Sequence, residues 1–153
     1  MTKDTNTINI FNALWYNDIE AVKTYINNGG DVNVKGYSGD TVLMWAKNAE
    51  MTKLLIDAGA DVNAKKNWGE TALMQAYIPE IAKLLIDAGA DVNAKDSWGK
   101  TALMRAHNNV EMTKLLIDAG ADVDAKNEYG ETALMLAPNA EIKKLLKSHG
   151  AVA

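Results

Sequence analysis

The feature of this 153-residue sequence that most constrains its fold is an internal repeat with a period of about 30 residues. The string KLLIDAGADVNAK occupies residues 53–65 and 83–95, and it recurs with one change at residues 114–126. Self-similarity at a fixed period is typical of repeat architectures, in which each unit buries its apolar face against its neighbours. The sequence therefore predicts five stacked copies of one unit. A shared glutamate marks the copies, at Glu20, Glu50, Glu80, Glu111 and Glu141.

Each copy predicts two helices. In the second to fifth copies a glycine precedes a threonine by two residues. This pattern predicts a tight turn followed by a helix, because glycine permits positive φ and threonine caps helix N-termini. A short apolar run follows. A longer helix then runs from the shared glutamate to an Ala-Gly or His-Gly pair, whose glycine suits a left-handed C-terminal cap. The turn glycines are Gly39, Gly69, Gly99 and Gly130, and the cap glycines are Gly59, Gly89, Gly120 and Gly150.

These residues resemble the ankyrin repeat over nearly the whole chain. The family pattern D-x-x-G-x-T-P-L-H-x-A-A, followed by E-I-V-K-L-L-L and G-A-D-V-N-A, has close counterparts in residues 96–106 and 111–122. The resemblance implies an all-α solenoid of stacked helix-turn-helix units with β-turn or hairpin fingers. The asparagine-rich copies of this sequence are similar to those of bacterial ankyrin proteins, and a consensus-derived sequence would look the same. It implies one domain over residues 1–153, with repeats at 5–34, 35–64, 65–94, 95–125 and 126–153, the first and last being caps.

The sequence departs from the family pattern in two ways. The family proline is alanine or valine here, and the family histidine is methionine, which predicts an apolar filler at that position. The spacing between the two helices is also short. Seven residues separate Ala13 from Glu20 in the first copy, whereas four separate Ala46 from Glu50 in the second. We therefore expect shorter first helices or tighter corners in the later copies, and a reshaped concave face.

Composition excludes several classes of function. The formal net charge is −4, so no basic excess favours nucleic acid or an anionic membrane. The chain contains no cysteine, which removes disulfides and thiolate chemistry. No apolar run approaches the roughly 18 residues of a membrane span, and the polar first seven residues do not resemble a signal peptide. We expect a cytoplasmic protein, although an exported domain trimmed of its signal would look the same.

Most charged residues fall in columns that repeat with the copies, so they predict scaffold and not chemistry. Glu–Lys pairs three residues apart recur in every second helix and are expected to pair on its surface. The two histidines, His107 and His149, lie at non-equivalent positions, and His149 is expected to cap the last helix. No metal-protease, phosphate-loop or nucleophile-elbow motif is present. The sequence predicts no enzyme, no catalytic residue, no cofactor and no metal.

The aromatic residues do not follow from the scaffold. Trp68, Trp98 and Tyr129 each precede a turn glycine, at a position that the family resemblance places toward a partner. Stacked copies would set these rings about 10 Å apart in a row. Trp, Tyr and Arg are enriched in binding hot spots, whereas Trp15 and Tyr16 are expected to pack in the first copy. The predicted partner-binding residues are Tyr37, Trp45, Trp68, Tyr77, Trp98, Arg105, His107 and Tyr129.

Three functions remain open at this point. The first is a monomeric, non-catalytic module that binds another protein through its turn tips and concave face, with no nucleic-acid or membrane partner. The second is a small-ligand or carbohydrate binder that uses the aromatic row as a stacking platform. The third is a structural spacer, in which each tryptophan folds back and pairs with the next ring, within about 7 Å.

Overall fold

The computed structural model describes residues 5–106 and 108–152. Within these ranges the chain forms α-helices and two 3₁₀ turns, and the one strand-like pairing is an isolated bridge between Lys35 and Thr41. The all-α fold class predicted from the sequence is confirmed. The helices are α1 Thr5–Trp15, α2 Ile19–Asn27, α3 Ala49–Asp57, α4 Ala72–Gln75, α5 Pro79–Asp87, α6 Ala102–Arg105, α7 Val110–Asp118, α8 Ala133–Leu136 and α9 Ala140–Ser148, and the 3₁₀ turns are Val42–Trp45 and Asn67–Gly69.

The first helix of each later copy is a single turn. α4, α6, α8 and the 3₁₀ turn Val42–Trp45 have four residues each, whereas α1 has 11. The backbone becomes extended directly after three of them, at Ala46, Ala76 and Ala137. The chain must turn back within a few residues to start the second helix, so the clipped corner leaves no room for another helical turn. The predicted shortening of the first helix is confirmed.

Polar side chains start most of the second helices. An Asp or Asn side chain accepts a hydrogen bond from the backbone N–H three residues on, which satisfies one of the free donors of a helix N-terminus. Pro79 begins α5 without such a cap. Proline suits that position because it has no N–H to satisfy. The capping residues are Asp18, Asn48, Asn109 and Asn139.

The core runs along the stack between the short and the long helices. Each long helix buries apolar residues four apart, which is the spacing of one helix face. Met74 and Met104 are buried as expected, but Met135 is exposed, because the fifth copy has no further copy packed on it. The principal long-helix core residues are Met51, Leu55, Ile81, Leu85, Met112, Leu116, Ile142 and Leu146.

Side-chain hydrogen bonds tie each copy to the next. Asn63 Nδ2 donates to the carbonyl of Gly89 at 3.0 Å, and Asn63 Oδ1 accepts from the N–H of Asp91 at 2.7 Å. Asn33 and Asn93 make the equivalent pair of bonds 26 to 29 residues further along the chain, each to the end of the next long helix and the link after it. The repeated asparagine column is therefore a ladder that sets the distance between neighbouring copies.

The predicted Glu–Lys pairs are largely wrong. Lys23 pairs with Glu20 at 3.1 Å, but Lys53 and Lys83 turn toward the carboxylates four residues after them, Asp57 and Asp87, at 2.8 Å. A spacing of four residues on a helix brings side chains together as well as a spacing of three. These ion pairs are exposed, and such pairs add little to stability.

Candidate partner-binding surface

The turn tips of successive copies are hydrogen-bonded to one another. The N–H of Ser97 donates to the carbonyl of Trp68 at 2.8 Å, and the N–H of Glu128 donates to that of Trp98 at 2.9 Å. The glycines predicted to adopt positive φ do so, at 72° for Gly99. A Cβ there would lie 3.1 Å from backbone atoms of the next tip. We call the aromatic residues on these tips the finger row, which consists of Tyr37, Trp68, Trp98 and Tyr129.

The rings of the finger row are exposed to different degrees. Trp68 is 67% exposed, Trp98 37% and Tyr129 71%, and Tyr37 is fully exposed. The centroids of the Trp68 and Trp98 rings are 5.7 Å apart, with their planes 30° from parallel. The predicted spacing of about 10 Å is wrong for this pair, because the two side chains lean toward each other. Their outer surfaces still face solvent.

Trp68 has a left-handed backbone, with φ of 67°. This conformation costs a residue with a Cβ about 1–2 kcal/mol. Ser38, Trp98 and Tyr129, which occupy the equivalent position, do not have positive φ. The ring of Trp68 is therefore presented on a backbone that a glycine or an asparagine would adopt more readily.

Trp45 belongs to the scaffold of the N-terminal copies. The sequence predicts it as a partner-binding residue, but in the structure it is half-buried. Its ring lies 5.5 Å from that of Phe11 and 6.0 Å from that of Trp15, measured between centroids. Its Nε1 donates to Asp40 Oδ2 at 2.5 Å. These contacts join the first copy to the second.

Trp15 and Tyr16 are exposed. Of the expected core or cap packing in the first copy, packing in the core is therefore wrong. Trp15 is the last residue of α1, and Tyr16 follows it. α1 is longer than the first helix of the second copy, the 3₁₀ turn Val42–Trp45. The shorter neighbour therefore leaves this end uncovered. Trp15 keeps its contact with Trp45, and Lys47 Nζ lies 4.7 Å from the centre of the Trp15 ring.

Arg105 links the third copy to the fourth. Its Nη2 lies 2.6 Å from Glu70 Oε1 and 2.6 Å from Asp96 Oδ2. Lys66 Nζ approaches the other oxygen of Glu70 at 2.8 Å. The sequence predicts Arg105 as a partner-binding residue. In the structure its guanidinium is held by the two carboxylates, and its side chain is 25% exposed. The Asp96 side chain is wholly buried and also accepts the backbone N–H of Lys100.

The cluster perturbs its own pKa values. Burial would raise the pKa of Glu70, but hydrogen bonds from Lys66 and Arg105 outweigh it and hold the pKa of this carboxyl below its usual value. Burial acts in the same direction on Asp96, and the bonds from Arg105 and the backbone of the turn again hold the pKa low. Burial would lower the pKa of Arg105, but its two carboxylate partners raise it. All three groups are therefore charged at neutral pH.

A cleft of about 400 Å³ opens between the fourth and fifth copies. Trp98 and Tyr129 line it from the turn tips, and Met104 and Leu136 line it from the short helices α6 and α8. The predicted site residues Trp98, Arg105 and Tyr129 are thus brought together here. Lys100 also lines the cleft and forms no ion pair within residues 5–106 and 108–152. We call this surface the inner cleft, formed by Trp98, Lys100, Met104, Arg105, Tyr129 and Leu136.

Tyr77, one of the two remaining predicted site residues, is not part of the inner cleft. Tyr77 is exposed just beyond α4 and lines a separate cleft of about 410 Å³ with Met44, Lys47 and Ile78. His107 lies outside the described residues.

The comparison with protein families decides which fold family these copies form. Residues 10–96 and 76–152 both match the family model described as ankyrin repeats (3 copies). The chain belongs to the ankyrin-repeat family. A comparison with curated proteins found no match. Ankyrin repeats are generally non-catalytic modules for protein–protein interaction.

Neither a metal-ligand group nor a membrane-spanning helix occurs in the described part of this ankyrin-repeat chain. In residues 5–106 and 108–152, no three His, Asp or Glu side chains are grouped as a metal ion would require. No helix in those same ranges is both long and apolar enough to cross a membrane.

The sequence reading of the ankyrin copies missed Lys100. A signal was present, because the residue before the capping threonine is acidic in the other three turns, at Asp40, Glu70 and Glu131. Two of those acids accept a hydrogen bond from the residue five positions later, as Glu70 does from Gln75 at 3.2 Å. Lys100 reverses the charge in the fourth copy, where the residue five positions later is also cationic.

Proposed function

We propose that this ankyrin-repeat chain is a monomeric, non-catalytic module that binds another protein through the finger row and the inner cleft. It acts as one domain over residues 1–153 with the five repeats predicted from the sequence. The observation that carries the proposal is Trp68, an exposed tryptophan on a left-handed backbone. Backbone strain of this kind clusters at functional sites, and tryptophan is enriched in binding hot spots.

Rigidity of the scaffold supports the proposal. The backbone bonds between the tips and the bonds of Arg105 to Glu70 and Asp96 hold the surface in place before a partner arrives. Binding then orders few groups, so less of the interaction free energy is lost to conformational entropy.

The charges of the surface favour a protein over a nucleic acid. The net charge of the chain is −4. Arg105 and Lys66, two of the cations beside the finger row, are already paired with carboxylates. A nucleic-acid site needs several free cations to displace counterions from phosphates.

Capture of a partner from a lysate of the source cells tests the proposal. The double variant Trp68→Ala with Trp98→Ala should lose the proteins that the wild-type chain retains, while circular dichroism shows an intact helical fold. Tyr16→Ala is the matched control, because it removes an exposed ring outside the proposed surface and should leave capture unchanged. Equal capture by the folded double variant would remove the finger row from the site.

A carbohydrate-binding surface is the second candidate, and the exposed outer faces of Trp68 and Trp98 are the observation that favours it. Sugars stacking on these rings would change the tryptophan emission of the wild-type chain. The emission of the double Trp variant would not respond. No response of the wild-type chain across a broad panel of oligosaccharides would leave the protein-binding proposal alone.

A further inference from the structure

We infer that the inner cleft takes a bulky apolar side chain of the partner protein together with a carboxylate that follows it closely in the partner's chain. This inference rests on the proposed function, because it names the chemistry of the partner at one part of the proposed surface.

The apolar part of the inner cleft fits a large side chain. Trp98 and Tyr129 provide aromatic walls, and Met104 and Leu136 provide an aliphatic floor. Methionine adapts its shape to what packs on it, and aromatic walls bury a large area at a small entropy cost. An apolar side chain entering here would displace water from four apolar surfaces at once.

The inner cleft, taken together with the ion-pair cluster of Arg105, has one cation in excess. Lys66, Lys100 and Arg105 carry three positive charges, against the two negative charges of Glu70 and Asp96. Asp96 is wholly buried and Glu70 nearly so, and the cleft lining includes the two cations Lys100 and Arg105 and neither acid. The charge presented to a partner is therefore positive.

Arg105 leaves hydrogen-bond donors unused. Its Nη2 serves both Glu70 and Asp96, and its Nε is buried without an acceptor in the part of the chain described. A buried donor without a partner costs free energy until an acceptor reaches it. A carboxylate of the partner beside Lys100 would meet its ammonium in the same cleft that Arg105 lines.

Two acids of the fifth copy, Glu128 and Glu131, do not form an ion pair with Lys100. Glu131 stands at the position equivalent to Lys100, and its Oε2 accepts from Asn127 Nδ2 at 2.8 Å. Glu128 is exposed on the finger tip. An acid at position 100 would stand five residues before Arg105, as Glu70 stands before Gln75, from whose side chain it accepts a hydrogen bond. The ammonium of Lys100 forms no hydrogen bond or ion pair within the described residues, so it is available to a partner.

A phage-displayed library of random dodecapeptides is the probe that tests the inference. Peptides selected on the wild-type chain should share a Phe, Leu, Ile or Trp followed within two positions by Asp or Glu. The best peptide is then synthesised with that acid and with its amide. The amide form should bind the wild-type chain about tenfold more weakly, because a hydrogen bond between charged groups is lost.

Variants of the protein locate the effect. Lys100→Gln should weaken binding of the acidic peptide about tenfold, and it should not weaken binding of the amide peptide further, because the two changes remove one interaction. Lys53→Gln is the matched control, because it removes an exposed lysine of α3 outside the inner cleft, and it should not change the binding of either peptide. Glu131→Gln should leave binding unchanged or strengthen it.

The outcomes separate the inference from the function on which it rests. Selected peptides that need Trp68 and Trp98 but carry no acid, or that bind Lys100→Gln as tightly as the wild type, would overturn the inference alone. Peptides that bind the double Trp variant equally well would overturn the proposed function as well. A selection that enriches no peptide would count against both.

Discussion

At the residue scale, Trp68 combines a conformational cost with an exposed position. A left-handed φ costs about 1–2 kcal/mol for a residue with a Cβ, whereas a tilted ring pair returns about 0.5–1.5 kcal/mol. The contact with Trp98 therefore offsets the strain at best. Local stability therefore does not explain a tryptophan at this position, whereas the proposed contact with a partner would explain it.

Trp68→Asn tests this account of the residue. Asparagine tolerates the left-handed region, so relief of strain should offset the lost ring contact, and the free energy of unfolding should change by less than about 1 kcal/mol. Trp98→Asn loses the same ring contact without relief, so it should be the more destabilising change. Urea denaturation measures both. Equal destabilisation by the two substitutions would show that Trp68 is not strained.

At the scale of the elements, glycines set how closely the turns stack. Gly99 and Gly130 both have positive φ, at 72° and 75°. A Cβ at Gly99 would meet backbone atoms of the next turn at 3.1 Å, whereas nothing lies within 4 Å of a Cβ at Gly130. The two positions share one conformation and differ in their neighbours.

Gly99→Ala and Gly130→Ala separate conformation from contact. Both should destabilise by about 1–2 kcal/mol because of the left-handed backbone. Gly99→Ala should lose more, because the neighbouring backbone must also move. Thermal unfolding of the two variants measures the difference. A Gly130→Ala variant as unstable as Gly99→Ala would mean that the turns are not tightly stacked.

The asparagine ladder leads to a prediction at the same scale. Asn63→Ala removes two bonds between copies, to Gly89 and from Asp91, and should cost about 1 kcal/mol because the position is exposed and water replaces part of the bonding. Asp124→Ala removes one bond, from the N–H of Val152. Urea denaturation should therefore find the smaller loss in Asp124→Ala, and the reverse order would contradict the ladder.

How much the sequence predicts depends on the distance over which each feature is decided. Local features are predictable, since the positive φ of Gly99 and the short first helices of the later copies follow from nearby residues. The orientation of Arg105 is not, because its partner Glu70 lies in the preceding copy. The exposure of Trp15 depends on how far the neighbouring helix extends. The closeness of Trp68 and Trp98 depends on side-chain packing across two copies.

At the scale of the whole molecule, an open solenoid is stabilised by contacts between neighbouring copies. The cluster of Arg105 with Glu70 and Asp96 is one such contact. The pKa values of both carboxyls are lower in the folded chain than their usual values. Their contribution to stability is therefore fully present above about pH 5, and it is lost as the pH falls through the lowered pKa values.

Arg105→Gln tests this linkage. At neutral pH the variant should be less stable than the wild type, because the buried Asp96 carboxylate loses its cation and Glu70 keeps only Lys66. The difference should shrink as the pH falls through the lowered pKa values of the two carboxyls, because both groups then become neutral in both proteins. Chemical denaturation at several pH values measures the difference, with Lys53→Gln as the exposed control. A difference that does not change with pH would contradict the account.

Site-specific photo-crosslinking tests most directly whether the finger row contacts another protein. A photoreactive phenylalanine analogue placed at Trp68, and separately at Tyr16, puts the same exposed reactive ring inside and outside the proposed surface. Irradiation in a lysate of the source cells should yield a covalent adduct with a specific protein from position 68 and not from position 16. No adduct from position 68, or the same adduct from both positions, would contradict the assignment of the finger row as the binding surface.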